Sequence, residues 1–578
     1  MPNVGRPSRG CKHCRDRKVK CDQKRPSCSQ CIRSGKECYG YRDALSMMFK
    51  DETAVVAKKA EKRYEALALQ TPQQSWESRG KQTSDEGSSG HSPIIWVDAS
   101  FHSSRPHSAS ETRYPTPESM TREIVPSIED QAMGFFISNH VSKPTLVPRG
   151  QYEWILEALK QPGCEEVLRS SVNAASLAGL ANSTKNPMIM AKAHAAYGSA
   201  LRMTNNALRV RETAVKDSTL ISVILLGLYE NFVFQDKRSI QAWAKHVQGA
   251  SALLNLRGKE QFKHDTARRI FHQLYGIIML VSLEAGQAIP DGIKELYDYG
   301  NPSSDYAVHG RQWTTRLTHF MHDSINLNKD KESDPLTLIT KATNLDRELD
   351  SIKALMNRIW QYETVQLKQP SEYAYGTFYH IYTDSWIAQM WNNLRSCRMY
   401  LYRTMREQLC KGHTCNPSLF PRNEIAPRIA AAEKVIRTTT AAICASAPQL
   451  TGMIAFPHCP APTPDASFAD SLPDVPALVD PLFKPHPPGT FLDPACPTGM
   501  HHLIWPLYAA GMSELSSNEM RGWVIEMLHF VALRIGTRQA VVLADGVKEV
   551  LELRSADAGV GVAGGGDVSA AGVSGFGE

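Results

Sequence analysis

Hydrophobic positions recur at helical spacing along most of the chain. A representative segment begins at Asp217, a residue type that favours helix N-termini, and continues into the apolar run ISVILLGLYE. This run is too long for a half-exposed strand, and few segments alternate in the way strands do. Comparable helical segments are predicted at residues 131–141, 151–160, 190–210, 240–257, 265–285, 310–327, 336–367, 378–411, 427–447 and, after an interruption, from about 500 to 553. The pattern therefore predicts a large all-α body.

Four segments of different composition divide the chain. Residues 43–70 contain neither proline nor glycine and predict a linker helix, which is either a short coiled-coil dimer seam or a helix that docks on its own chain. Residues 71–127 are rich in Ser, Thr, Gln, His and Pro, so we expect a disordered linker. Residues 456–498 hold 12 of the 34 prolines and predict a surface insertion, with an acidic and aromatic recruitment segment as the alternative. Residues 554–578 read as a disordered Gly/Ala-rich tail.

Composition is ordinary overall, but charge is not evenly distributed. Hydrophobic residues make up 42% of the 578 residues and charged residues 21%, as in soluble globular proteins. The net charge of +6 conceals a segment, residues 1–42, with 12 Lys and Arg against 3 Asp and Glu. The longest apolar runs have nine residues, whereas a membrane-spanning helix needs about 20, so no membrane association is expected.

The same basic segment holds a repeated cysteine pattern. Six of the 13 cysteines follow the spacing C-x2-C-x6-C-x6-C-x2-C-x6-C, in which one unit occurs twice. They are Cys11, Cys14, Cys21, Cys28, Cys31 and Cys38. A Cys-x2-Cys pair places two thiolates where they can bind zinc, and structural zinc takes four ligands. Two tetrahedral zinc ions therefore need eight sulfur bonds from six residues, which requires two bridging cysteines.

Other uses of six cysteines fit the sequence less well. Three disulfides need an oxidising compartment, and the N-terminus MPNVGRPSRG lacks the apolar run of a secretory signal. A redox Cys-x2-Cys needs a βαβ setting, which the surrounding sequence does not predict. A catalytic zinc needs an open coordination position, whereas a cluster that uses every sulfur is closed. We therefore expect two structural zinc ions.

This pattern resembles the fungal binuclear zinc cluster transcription factors. The residues between the cysteines match the family pattern as well, at Arg15, Arg17, Lys18, Lys20, Asp22 and Pro26. The resemblance implies that Cys11 and Cys28 bridge the two zinc ions. It further implies that Cys14 and Cys21 complete the first site, and that Cys31 and Cys38 complete the second.

The resemblance also implies DNA binding through the first half of the cluster. In the family, the lysine at the position of Lys18 contacts the guanines of a CGG triplet, so that role is expected for Lys18. Arg17 is the next candidate for a base contact, and Arg15 and Lys20 fit phosphate contacts. The implied function is a zinc-dependent, sequence-specific RNA polymerase II transcription factor in the nucleus that binds double-stranded DNA. The alternative is a scaffold or co-regulator that keeps the zinc fold without reading DNA.

Two further stretches resemble the helical regulatory domain of many such proteins. One spans residues 203–258 and includes Trp243 and His246, which we expect to pack in the core; the other joins residues 504–507 to 521–523. The predicted architecture is a zinc-stapled cluster domain (1–42), a disordered linker and a large all-α regulatory domain (128–455 and 499–553). No catalytic motif such as G-x-S-x-G or H-E-x-x-H occurs in the body, so an enzyme is not expected. Coregulators are expected partners, and homodimerisation is left open.

Overall fold

The computed structural model describes residues 10–24, 27–38, 126–141, 151–161, 165–284, 286–301, 312–356, 360–456, 491 and 499–560. The predicted linker helix at 43–70 lies outside these residues, as do nearly all of the linker at 71–127 and of the insertion at 456–498. None of the helices in the described ranges is both long enough and apolar enough to cross a membrane.

Helices dominate the described chain, and the first two are short. The cluster segment contains α1 (Lys12–Asp16) and α2 (Ser29–Arg33). The first part of the body contains α3 (Ile128–His140), α4 (Trp154–Lys160), α5 (Glu166–Ser183), α6 (Pro187–Ala207), α7 (Arg211–Ala214), α8 (Asp217–Val233), α9 (Arg238–Arg257), α10 (Asp265–Glu284), α11 (Ile293–Gly300), α12 (Gln312–Lys329) and α13 (Pro335–Ala354). A 3-10 helix, Gly258–Lys263, joins α9 to α10.

The second part of the body begins with the strands β1 (Tyr362–Gln366) and β2 (Phe378–Tyr382) and then returns to helices. These are α14 (Ser385–Thr414), α15 (Arg422–Cys444), α16 (Ala447–Leu450), α17 (Ile504–Met512), α18 (Asn518–Ile535) and α19 (Arg538–Val560), with a 3-10 helix (Met500–Leu503) before α17. The prediction of a mostly helical body is confirmed. The last helix continues to Val560, beyond the end expected at residue 553.

The two strands correct the sequence prediction in one region. We expected helices at 336–367 and 378–411, but β1 and β2 form an antiparallel hairpin in which Tyr362 pairs with Tyr382. Both strands are rich in aromatic and β-branched residues, which favour extended backbone. Pro370 and the left-handed Gly376 lie between the strands and oppose a continuous helix. The strand-favouring residues and these two turn residues indicate a hairpin, but the apolar residues of the same region also fit a buried helix.

Helix α5 was missed by the sequence prediction, although it is central to the core. It packs against α3, α6 and α8, and its side chains are mostly small, with Ala174, Ala175 and Ala178 fully buried. Small side chains let neighbouring helices approach closely, but they give no stripe of large apolar residues to detect. The large apolar side chains come instead from the neighbouring helix α8, which is buried along almost its whole length.

The two signature stretches of the body meet in space. The rings of Trp243 in α9 and Trp505 in α17 stack with centroids 5.7 Å apart and planes 14° apart. His246 lies in the same helix but is only half-buried, with 29% of its side chain exposed, and burial lowers its pKa. Arg521 is fully buried and donates from Nη2 to the Ser513 carbonyl at 2.7 Å, which ties α18 to the end of α17. These residues therefore support the packing of the helical body.

Candidate metal centre and nucleic-acid interface

Each half of the cysteine segment begins with a cysteine that caps a short helix. Cys11 precedes α1 and Cys28 precedes α2, and both have extended backbone conformations. The Sγ of Cys11 accepts a hydrogen bond from the Cys14 amide at 3.4 Å, and the Sγ of Cys28 accepts one from the Cys31 amide at 3.4 Å. Cysteine thus takes the capping position that Ser or Asp occupies in most helices.

The sequence repeat is also a backbone repeat. In each half, the amide four residues after the first cysteine donates to that cysteine's carbonyl at 3.1 Å. The amide five residues after the second cysteine donates to that cysteine's carbonyl at 3.0 Å in the first half and 3.1 Å in the second. The two halves therefore present their thiols in equivalent ways.

The six sulfurs gather into two overlapping groups of four. One group contains Cys11, Cys14, Cys21 and Cys28, and the other contains Cys11, Cys28, Cys31 and Cys38. Within each group, all ligand atoms lie within 4.8 Å of one another. The Sγ of Cys11 lies 3.7 Å from that of Cys28 and 3.6 Å from that of Cys31, and the Sγ atoms of Cys14 and Cys28 are 3.6 Å apart. Cys11 and Cys28 belong to both groups.

These distances fit zinc and exclude disulfides. Zn–S bonds of about 2.3 Å in a tetrahedron place neighbouring sulfurs about 3.8 Å apart. A disulfide needs sulfurs about 2.05 Å apart, and all six cysteines are free. The donor set therefore suits two tetrahedral metal ions that share ligands.

Most of the buried thiols need a nearby cation to become thiolates. Cys11, Cys14, Cys28 and Cys31 are at most 1% exposed. Burial raises the pKa of Cys11 and Cys14, and it raises that of Cys31 to about 12. Burial also acts to raise the pKa of Cys28, but hydrogen bonds from the Cys31 amide and from neighbouring thiols lower it to about 6. Because metal ligation needs thiolates, bound metal ions would supply the energy that keeps the buried sulfurs of Cys11, Cys14 and Cys31 ionised.

The predicted DNA-contacting cations differ in exposure. Arg17, Lys18 and Lys20 are exposed at and beyond the end of α1. Arg15 is half-buried, and its Nη1 donates to the Gly10 carbonyl. The guanidinium of Arg15 is therefore partly engaged within the domain, whereas the other three side chains face solvent.

Asp22 has a structural contact that the sequence did not reveal. Its carboxylate accepts hydrogen bonds from the Ser29 amide at 3.1 Å and from the Ser29 hydroxyl at 2.5 Å. The bond from the Ser29 hydroxyl is the main reason that the Asp22 pKa lies below its usual value. An aspartate from the first half thus binds the first residue of α2, beside the Cys28 cap, and joins the two halves.

Comparison with known families identifies the site. Residues 9–47 match the fungal Zn(2)-Cys(6) binuclear cluster domain, and residues 148–426 match the fungal specific transcription factor domain. The chain is therefore similar to fungal transcription factors in its cysteine segment and in its helical body. The matched cluster domain binds two zinc ions, and the two sulfur groups could hold them. Both domains are those of transcription regulators and not of enzymes.

Two curated relatives match parts of the chain. The aspercryptin biosynthesis cluster-specific transcription regulator of Emericella nidulans is 38% identical over 69 residues, 12% of this chain and 11% of the relative. White-opaque regulator 2 of Candida albicans is 53% identical over 34 residues, 6% of this chain and 8% of the relative. The chain therefore spans only about a tenth of the length of these relatives. No solved structure matches the chain.

Proposed function

We propose that this protein is a nuclear, zinc-dependent transcription factor that reads CGG triplets in double-stranded DNA through the first half of its cluster. The observation that carries the proposal is the pair of overlapping four-sulfur groups beside an exposed cationic helix end. Zinc would have a structural role, because every cysteine of each group serves as a ligand and no coordination position stays open for substrate.

We infer that Cys11 and Cys28 bridge the two zinc ions. The inference is supported by their membership of both sulfur groups and by their equivalent capping positions. It is also supported by ligand number, since six cysteines provide eight sulfur–zinc bonds only when two of them are shared.

Charge distribution supports the first half as the DNA-facing half. Lys12, Arg17, Lys18 and Lys20 are all exposed there. After Cys28, the exposed charged side chains are only Arg33, Lys36 and Glu37 within the described residues 28–38. Cations near phosphates release bound counterions, which gives salt-dependent affinity for any DNA sequence. Base selection additionally needs a donor that reaches the groove, and the exposed position of Lys18 just beyond α1 supports that role for this residue.

Lys18→Ala is expected to weaken binding to a CGG-containing duplex by about 1–3 kcal/mol, with a smaller effect on random duplex. The physical reason is the loss of a lysine donor to guanine. Lys20→Ala is the matched control, because it removes an equally exposed cation and is expected to weaken binding to both duplexes to a similar degree. Fluorescence anisotropy titrations of the full-length protein at fixed salt measure both effects.

Equal loss of affinity for CGG-containing and random duplexes in the Lys18→Ala titration contradicts the base-contact role. A wild-type protein that shows no preference for CGG favours the alternative, a co-regulator that keeps the zinc fold without reading DNA. Titrations over a range of salt concentrations distinguish CGG-specific binding from non-specific binding to phosphates, because phosphate binding weakens steeply with salt.

We further propose that the target genes form a biosynthetic or metabolic set, with the helical body contacting coregulators. Support comes from a 69-residue match between this chain and a relative that is named as the transcription regulator of a biosynthesis cluster. Genome-wide binding combined with transcript levels in a deletion strain tests this proposal and gives the sign of regulation. Binding sites scattered among unrelated genes, without changes in their transcripts, contradict it.

A further inference from the structure

Arg395 in helix α14 is a buried cation without an acidic partner. It is only 6% exposed, and no carboxylate forms an ion pair with it among the residues that the structure describes. Two other arginines with little exposure do meet negative charge. Arg257 pairs with Asp217, and Arg521 donates to the Ser513 carbonyl, at the negative end of α17. A charge is costly to bury unpaired, so the guanidinium of Arg395 is a candidate for binding an anion.

Neutral side chains accept three of the five N–H groups of Arg395. Its Nη1 donates to the Tyr382 hydroxyl at 2.5 Å and to Asn392 Oδ1 at 3.0 Å, and its Nη2 donates to His380 Nδ1 at 3.1 Å. Burial, together with the charge of Arg395, lowers the pKa of His380 to about 3, so this imidazole is neutral. The Asn392 amide donates to the Ser446 hydroxyl at 2.8 Å, which turns the Asn392 oxygen towards the guanidinium. These contacts fix the orientation of Arg395 without neutralising it.

One edge of the guanidinium has no acceptor. Tyr382 Oη and His380 Nδ1 lie 3.2 Å apart, so both occupy the edge between Nη1 and Nη2. The adjacent edge consists of the Nε–H and the second Nη2–H, and neither has a partner among the described residues. These two N–H groups are parallel and form the fork that binds both oxygens of a carboxylate or a phosphate.

Aromatic rings surround this cation. The Tyr362 ring centroid lies 4.8 Å from the Arg395 Cζ, and that of Trp391 lies 5.8 Å away. The Tyr362 and Trp391 rings are nearly perpendicular, with centroids 4.9 Å apart. Tyr362 is half-buried in β1, and most of that strand is exposed, so the cation lies behind the solvent-facing strand of the hairpin. Aromatic walls favour a ligand with a planar, apolar body.

Charge favours a carboxylate over a phosphate at this position. A phosphate monoester carries about −1.5 to −2 charge at neutral pH, whereas a carboxylate carries a single negative charge. Arg395 supplies one positive charge, and the side chains bonded to it are neutral. A monocarboxylate therefore matches both the charge and the two-donor fork.

We propose that the hairpin of β1 and β2 and helix α14 form a binding site for a small carboxylate with a planar, apolar body, held by Nε and Nη2 of Arg395. His380, Tyr382 and Asn392 orient the guanidinium. The site lies in the helical body and gives this body a small-molecule ligand, so the inference goes beyond the DNA contacts proposed for the cluster and does not depend on them.

Benzoate and benzamide test the charge requirement on the unaltered protein. The two molecules have nearly the same size and planarity, but only benzoate presents two anionic oxygens. We expect the full-length, zinc-loaded protein to bind benzoate about tenfold or more tightly than benzamide in isothermal titration calorimetry. Inorganic phosphate is expected to bind more weakly than benzoate. Equal affinity for benzoate and benzamide overturns the proposal, and tighter binding of phosphate overturns the carboxylate assignment.

Arg395→Lys tests the position of the site, because lysine keeps the positive charge but has no planar fork. We expect it to weaken benzoate binding about tenfold or more. Arg403→Lys is the matched control, since it makes the same change on the same helix at a side chain that is 41% exposed and pairs with Glu407. It is expected to bind benzoate like wild type. Equal affinities of the two variants, both folded by circular dichroism, overturn the assignment to Arg395.

Hydrogen–deuterium exchange locates the site without a substitution, which keeps the proposal testable if Arg395→Lys does not fold. Benzoate is expected to slow amide exchange in β1 and β2 of the wild-type protein, and benzamide at the same concentration is expected to leave it unchanged. Protection confined to other segments, or no binding of benzoate to the wild-type protein, overturns the proposal. Neither result affects the proposed DNA recognition, which is measured separately by anisotropy.

Discussion

Replacing Cys28 by serine is expected to release both zinc ions and to reduce affinity for a CGG-containing duplex about a thousandfold or more. Cys28 belongs to both four-sulfur groups, so its loss leaves each group with three thiols. The cluster segment is too short to fold by burying apolar surface alone, and structural zinc supplies about 10–16 kcal/mol in such domains. Loss of the metal should therefore unfold the cluster and leave only salt-sensitive, non-specific binding.

The matched comparison for Cys28→Ser is Cys31→Ser. Cys31 is equally buried but belongs to only one sulfur group, so we expect one zinc ion to remain in the other group. Cys410→Ser changes an exposed cysteine outside the cluster and is expected to keep both ions. Elemental analysis of the purified full-length variants gives the zinc content. One retained ion in Cys28→Ser, as in Cys31→Ser, contradicts the bridging role of Cys28.

Gly536→Ala is expected to lower the stability of the helical body by about 3–5 kcal/mol. Gly536 ends α18 with a φ angle of +67°, and an added Cβ atom would lie 2.1 Å from the Gly179 carbonyl oxygen in α5. A backbone oxygen in the middle of a helix cannot turn aside as a flexible side chain does. The Gly536 carbonyl also accepts a hydrogen bond from Asn182 Nδ2 at 2.8 Å, so this end of α18 is closely tied to α5.

Gly276→Ala is the control for that substitution. Gly276 is exposed within α10, and an added Cβ atom would meet nothing within 4 Å. Alanine is favoured over glycine inside helices, so we expect stability to rise by about 0.5–1 kcal/mol. Urea unfolding of the full-length proteins, followed by far-ultraviolet circular dichroism, compares the midpoints. If the urea midpoint of Gly536→Ala lies within error of the wild-type midpoint, α5 and α18 can move apart at little cost in stability. That result contradicts the prediction.

The candidate metal ligands can be found from the sequence because their chemistry is local in sequence. A Cys-x2-Cys pair reaches one metal ion from a single helical turn, and the repeat of the pattern shows that two such units act together. The concentration of Lys and Arg in the first 42 residues likewise needs no structure to be seen. The Asp22–Ser29 contact was not predictable, because a short polar side chain between two cysteines has several equally suitable partners.

The body was predictable in class but not in detail. Periodic apolar residues indicated helices such as α8 and α10, whereas α5, with its buried alanines, was overlooked. The hairpin of β1 and β2 was also overlooked, since its apolar residues resemble those of a buried helix when spacing alone is considered.

The sequence by itself determined the repeated six-cysteine pattern, the basic cluster segment and the helical character of the body. Each of these depends on residues close together in the chain, where spacing is enough to specify the chemistry. Only the tertiary structure decided that Cys11 and Cys28 lie in both sulfur groups, that Lys18 adopts a left-handed turn, and that Trp243 stacks on Trp505. These features depend on which groups meet after folding, and close packing and metal geometry select among many pairings that the sequence pattern leaves equivalent.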